Sequence, residues 1–145
     1  MSSNKINQMT QREWRELGFF YDRDDDTKEW RLQGSRAGLH KFASALRDYA
    51  AHPNHAALSE HEHLGPYYYL EIGTWSSPEI TDHWIAGPLQ ELQELADSVD
   101  TCLVAASAGD CICLRALFAP SSSHELVLQV QDDDFDPAAA DAACW

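Results

Sequence analysis

Apolar and polar residues alternate along this chain with two different periods, and the periods mark out its elements. Leu39, Phe42, Ala43, Leu46 and Tyr49 follow the i, i+3, i+4, i+7, i+10 spacing of one helix face, while His40, Lys41, Ser44, Arg47 and Asp48 fall off it. Ser35 stands where its hydroxyl can accept from a free first-turn amide. Pro53 stops the helix, because a proline inside it loses a backbone bond and clashes with the preceding turn. A second stripe, Leu89, Leu92, Ala96, Val99 and Leu103 with Leu95 beside it, predicts another helix, leaving Glu91, Glu94 and Asp97 to water. Gly87-Pro88 opens it, proline being pre-set for a first helical position, and Ala108-Gly109-Asp110 closes it.

The remaining patterned stretches have strand character. Residues 17–22 are dense in aromatics, 24–27 form a polar turn, and 29–34 alternate with Trp30 and Leu32 on one face. Together they predict a hairpin. Residues 58–66 read as a loop rich in polar chemistry, leading into a long strand over 67–75 with Tyr68, Leu70 and Ile72 aligned. A turn at 76–79 and a return strand over 80–86 follow. After the second helix, 111–118 is expected as a strand with Ile112, Leu114, Ala116 and Phe118 inward, and 125–131 as the last strand.

The expected order is therefore ββαββαββ, an α+β fold with a single, largely antiparallel sheet and two amphipathic helices on one face. The other sheet face is left for a partner. The two ββα halves are candidates for an internal echo, although no solenoid period occurs. Residues 1–12, largely polar, are expected to be a mobile N-terminal segment, 13–131 a single domain, and 132–145 an acidic tail with Phe135 as its candidate anchor.

Composition narrows the function. A chain of 145 residues, 44% hydrophobic, has material for one core. Its formal net charge of −14 repels nucleic-acid phosphates and anionic lipid and attracts basic proteins. The start lacks the apolar stretch of a secretory signal, and no run approaches a membrane span, so the expected compartment is the cytoplasm. Cys102, Cys111, Cys113 and Cys144 fit it as reduced thiols; Cys111 and Cys113 should share a strand face, but their spacing is poor for a zinc knuckle.

Three kinds of site are open. Asp22, Asp24, Asp25 and Asp26 at the first turn, Glu60 and Glu62 before the long strand, and Glu79 and Asp82 at the second turn form acidic clusters. With Trp75 and Trp84 close in sequence, they make a candidate protein-binding surface that combines aromatic anchors with charge steering. The alternative is a set of solvated turns. His61, His63 and His83 are the residues for a metal if one binds, with Glu62 near in sequence. Their spacing matches no usual local zinc pattern, and no metal or other cofactor is expected. No Gly-x-Ser-x-Gly turn and no glycine-rich phosphate loop occurs, so no catalytic residues are assigned.

Two segments carry a resemblance. Glu29-Trp30-Arg31-Leu32-Gln33-Gly34-Ser35-Arg36-Ala37-Gly38-Leu39, with Phe42-Ala43 and Leu46, resembles the strand–Gly-Ser–helix opening of bacterial immunity proteins encoded beside polymorphic or contact-delivered toxins, of the immunity protein 32 type. Glu60-His61-Glu62-His63-Leu64-Gly65-Pro66-Tyr67, followed by Leu70-Glu71-Ile72, resembles that family's histidine-containing junction into the next strand. The likeness covers about residues 17–87. It implies a small cytoplasmic, non-catalytic protein that neutralises a cognate toxin, with no catalytic set to carry over. The negative charge suits a basic toxin acting in the cytosol, such as a nuclease whose groove the inhibitor covers. Monomer and dimer both stay open. The alternatives are a small metal-dependent or hydrolytic enzyme centred on His61 and His63, and a non-catalytic regulatory or adaptor domain.

Overall fold

The first hairpin forms where the alternation places it: β1 (Phe20–Asp24) pairs antiparallel with β2 (Glu29–Gly34), Tyr21 opposite Leu32. Ser35 then caps α2 (Arg36–Ala51), its Oγ accepting from the Gly38 amide at 3.0 Å. Leu39, Phe42, Ala43, Leu46 and Tyr49 are buried, as the stripe predicts. Gly38 has a further reason to lack a side chain: a Cβ there would lie 2.0 Å from the Gly18 carbonyl oxygen. The motif that carries the family resemblance is thus a device for bringing a helix start against the turn before β1.

The computed structural model describes residues 2–145, and it replaces the expected mobile segment over 1–12 with a helix, α1 (Ser2–Leu17); Met1 lies outside the described residues. The face of α1 turned towards the protein carries Asn7, Thr10, Gln11, Trp14 and Leu17, a helical stripe whose first three members are polar. Only Trp14 is fully buried, so the apolar period is too short to announce the helix.

The stretch expected as a loop supplies an edge strand, β3 (His61–Leu64), antiparallel to β4 (Leu70–Thr74). The long strand expected over 67–75 is cut short at its start. A 3-10 turn, Pro66–Tyr68, intervenes, with Tyr67 and Tyr68 at φ of 68° and 59°. The expected return strand divides into β5 (Glu79–Ile80) and β6 (Trp84–Gly87), an antiparallel pair. Helix α3 (Leu89–Ala105) follows, with Leu92, Leu95, Ala96, Val99 and Leu103 buried. The strand expected over 111–118 ends at Cys113: β7 (Cys111–Cys113) gives way to a helical turn, α4 (Arg115–Phe118), and β8 (Glu125–Val130) closes the fold. Leu114 and Phe118 are buried and Ala116 is exposed, so the i, i+4 spacing decides that segment.

The strands form two mixed sheets in place of the expected single antiparallel one, ordered β1-β2-β8-β7 and β3-β4-β6-β5. Both have the same plan. Two hairpins lie side by side, their inner strands parallel: β2 with β8, and β4 with β6. The echo is between these two sheets and not between the two expected ββα halves, because β7 and β8 return from the far end of the chain to complete the first sheet. One apolar core joins both sheets to the helices. Phe19 meets Phe42 edge-on at 5.7 Å beside the first sheet. Near the end of α2, the Tyr49 hydroxyl reaches Thr74 Oγ1 of β4 and the Glu60 carbonyl, both at 2.7 Å. Each fully buried Leu or Phe of α2 contributes roughly 1.5–3 kcal/mol of transfer free energy.

The expected acidic tail is docked. Asp136 and Asp141 each cap a 3-10 turn, Pro137–Ala140 and Ala142–Cys144. Ala138 and Cys144 are buried in the common core, which thus reaches past residue 131.

Candidate functional site

The two acidic turns meet through one arginine. Arg23, near the end of β1, donates to Asp25 Oδ1 at 2.5 Å and to the Asp82 carbonyl oxygen, while its guanidinium lies 5.6 Å from the Trp30 ring centre. Trp30 Nε1 donates to the neighbouring Thr81 carbonyl at 2.7 Å. The first hairpin end and the β5–β6 turn, although in different sheets, therefore form a continuous rim carrying Asp25, Asp26 and Asp82, all exposed. Asp24 is committed to the turn: Oδ1 accepts from the amides of Asp26 (2.9 Å) and Thr27 (3.1 Å), and Oδ2 accepts from Arg31 at 3.1 Å. The Thr27 amide, helped by that of Asp26 and by Arg31, holds its carboxyl below the ordinary value. Asp22 behaves oppositely. The residue is exposed overall, yet partial desolvation of its carboxylate raises its pKa, with Arg31 opposing and Asp24 and Glu29 adding to the rise.

Beside this rim, along the edge strand β1, opens a cleft of about 350 Å³. Its walls are mostly aromatic: Trp14 from α1, Phe20, Tyr21 and Trp30 from the hairpin, and Tyr67 and Tyr69 after β3. Trp14 packs against Phe20 at 4.8 Å and edge-on to Tyr21 at 5.1 Å. The Tyr21 hydroxyl reaches the Leu64 and Pro66 carbonyls at 2.7 and 2.6 Å, and burial pushes its pKa up to about 12. Asp141 closes the cleft from the docked tail, accepting from Trp14 Nε1 at 2.9 Å and from the Tyr67 hydroxyl at 2.7 Å. Burial works against its charge, but donors from Tyr67, Trp14 and Cys144 outweigh it and keep the carboxyl below its ordinary value. Tyr67 and Tyr69 remain 45% and 67% exposed, so two rings stand at the mouth. Sequence reasoning did not find this cleft. Its signal was a surplus of aromatics over 14–21 and 67–69, more than strand faces could bury.

The outer face of the second sheet holds another group. Trp84 Nε1 donates to Glu79 Oε2 at 2.9 Å, Trp75 lies 5.8 Å from Trp84, and His83 stacks on Trp84 at 5.0 Å. Glu71 projects to this face beside Trp84 in the parallel ladder and opposite His63 in the antiparallel one. His61 and His63 lie near it, their Nε2 atoms 3.5 and 3.9 Å from Glu71 Oε1. His83 does not join them: the close histidine–carboxylate trio is His61, His63 and Glu71. Glu60 and Glu62 belong to the β3 side of this sheet, the edge opposite β5 and the Asp82 turn. Glu62 lies 3.2 Å from His55 Nε2, its carboxylate turned away from the two neighbouring histidines.

Of the sequence candidates, the structure thus brings together Asp25, Asp26 and Asp82 as a rim, with Asp24 as the brace of its turn and Asp22 on the cleft wall. It groups Trp75, Glu79 and Trp84 on a separate face and leaves Glu60 and Glu62 apart from both. Cys111 and Cys113 are exposed on β7, whereas Cys144 is buried beside Asp141, which it approaches at 3.2 Å. No helix among the described residues is long and apolar enough to cross a membrane. No family model, curated protein or solved structure matches this chain.

Proposed function

We propose that this chain is a non-catalytic inhibitor that binds a basic toxin and blocks its active site, in the manner of the immunity proteins that its Glu29–Leu39 and Glu60–Tyr67 segments resemble. The observation that carries the reading is an aromatic cleft, lined also by Asp22 and Arg23, with an acidic rim joined to it through Arg23. Aromatic anchors in a partly desolvated pocket supply most of the energy of a tight interface, and surrounding charge supplies speed and orientation. A toxin that grips nucleic acid presents Lys and Arg side chains. These suit a cleft with an aromatic wall and carboxylates around it, because a cation over an aromatic face is attracted to the ring. The rim carboxylates then stand where phosphates would, and the body of the inhibitor blocks access. An interface of ordinary size, on the order of 1,600 Å² in total, would cover both features.

Co-expression with the product of the neighbouring gene tests this. The expected result is that the neighbour alone kills the host, and that this protein rescues growth and co-purifies with it. A harmless neighbour that does not co-purify would sink the reading. Within a confirmed pair, Tyr69→Ala should shorten the lifetime of the complex at least tenfold, as loss of an interfacial aromatic anchor does. An unchanged dissociation rate would remove the cleft from the interface.

A further inference from the structure

The trio on the outer face of the second sheet brings two imidazoles and a carboxylate together. His61 and His63 sit at i and i+2 of β3 and so share one face. Glu71 lies directly opposite His63, and Gly73 lies opposite His61. Trp84 fills the space over Gly73, its Cε3 2.3 Å from where a Cβ would stand, and so forms an apolar flank. The ligand atoms of His61, His63 and Glu71 all lie within 4.8 Å of one another. Among the described residues, no other group of three His, Cys, Asp or Glu converges in this way.

The second observation fixes the tautomers. His61 Nδ1 lies 3.0 Å from the Ser59 carbonyl oxygen, and His63 Nδ1 lies 3.0 Å from that of Tyr68. A carbonyl can only accept, so each Nδ1 carries a proton, and the nitrogen each ring leaves for a metal is the Nε2 that faces Glu71. Neither Nε2 makes a hydrogen bond to the carboxylate, at 3.5 and 3.9 Å. Three potential ligand atoms therefore converge on one point. Both accepting carbonyls belong to non-glycine residues at positive φ, 73° for Ser59 and 59° for Tyr68, so the chain spends backbone strain at the two places that orient the rings. Metal-binding histidines are held in this way, with the remote ring N–H given to a carbonyl.

We infer that His61 Nε2, His63 Nε2 and a Glu71 carboxylate oxygen form a binding site for one divalent transition-metal ion of the zinc class, with its remaining position open to solvent. Two imidazoles and one carboxylate are a borderline nitrogen–oxygen set suited to zinc, and three protein ligands plus water make its usual open tetrahedral site. Bonds of about 2.0–2.1 Å give a tetrahedron edge of about 3.4 Å. The His61–Glu71 distance of 3.5 Å already matches that edge, and the other side chains close on it by rotamer adjustment at a half-exposed edge strand. The site is separate from the aromatic cleft and stands or falls independently of the toxin reading.

The test is zinc titration of tag-free, chelator-stripped protein, followed by calorimetry and by competition with a colorimetric chelator. One equivalent should bind at low micromolar concentration or tighter. His61→Ala and His63→Ala should each weaken binding at least tenfold, and Glu71→Gln, which keeps the side-chain shape, should do so several-fold. Cys111→Ser with Cys113→Ser should leave binding unchanged. Cobalt substitution should give the visible bands of a tetrahedral site, lost in His63→Ala. Equal melting temperatures of wild type and variants in chelator would show that the variants fold. Absence of stoichiometric zinc binding, binding that survives loss of both histidines, or binding lost only with the cysteines would overturn the assignment.

Discussion

Asp141 shows how one residue ties a chain end to the site. Its Oδ2 accepts from Trp14 Nε1 (2.9 Å), the Tyr67 hydroxyl (2.7 Å) and the Cys144 thiol (3.2 Å), while Oδ1 accepts from the Ala143 amide (3.0 Å). Burial and this carboxylate together push the Cys144 thiol up to about 11. Asp141→Asn would turn an amide group towards donors or leave a neutral oxygen to serve them. Hydrogen bonds to a charged, buried acceptor are the strong ones, so the change should cost about 2 kcal/mol and lower the melting temperature by about 5 °C. The pH dependence has a definite sign. A carboxylate whose folded pKa lies below the ordinary 3.8 contributes fully above that value and loses its contribution as pH falls through the depressed one. The stability gap between wild type and Asp141→Asn, read from urea unfolding, should hold from neutral pH down to about 5 and narrow below about 4. A gap that persists undiminished into acid would mean that shape rather than charge holds this network.

At the level of elements, the two ends of the chain stabilise each other. Arg15 forms a forked pair with Asp136 (3.1 and 2.9 Å), and Gln11 Nε2 donates to the Cys144 carbonyl at 2.8 Å. A chain ending at residue 131 would lose these contacts, uncover Trp14 and empty the space filled by Ala138 and Cys144. Exposing one large core aromatic costs roughly 3 kcal/mol or more, so the shortened protein should melt about 10 °C lower and lose its protease-resistant N-terminus. Neither end was legible as structure. The contact face of α1 is polar over Asn7, Thr10 and Gln11, and the tail holds its turns with two aspartates and a proline rather than with an apolar stripe. By contrast, α2 and the β1–β2 hairpin follow their patterns closely, because each buries a regular apolar face. The division into two sheets lay beyond local pattern altogether. Pairing β2 with β8 depends on what the intervening segments do, and periodicity reports only which face of a strand is apolar. The same reason hid the partner of His61 and His63: that both point one way follows from a two-residue period, but that Glu71 faces them requires the β3–β4 register.

The whole molecule adds a long-range field to these contacts. Its net charge of −14 is spread over the surface, but the rim concentrates Asp25, Asp26 and Asp82 beside the one aromatic cleft described above. If this rim steers a basic toxin, its charges act mainly before contact, because exposed charges govern encounter while buried anchors govern dissociation. Neutralising all three, Asp25→Asn, Asp26→Asn and Asp82→Asn, should slow association about tenfold at low salt and change the dissociation rate little. The wild-type association rate should fall steeply as salt shortens the screening length to about 8 Å near physiological strength, and the variant's rate should depend on salt much less. Stability should stay within about 0.5 kcal/mol, since Asp25, paired with Arg23, and Asp82, 3.5 Å from His83 Nδ1, are both solvent-exposed. Measuring both rate constants across a salt series separates the possible roles. A slower association with a flattened salt slope identifies steering, whereas an unchanged slope with faster dissociation would make the rim a contact surface and move the electrostatic attraction elsewhere on this acidic molecule.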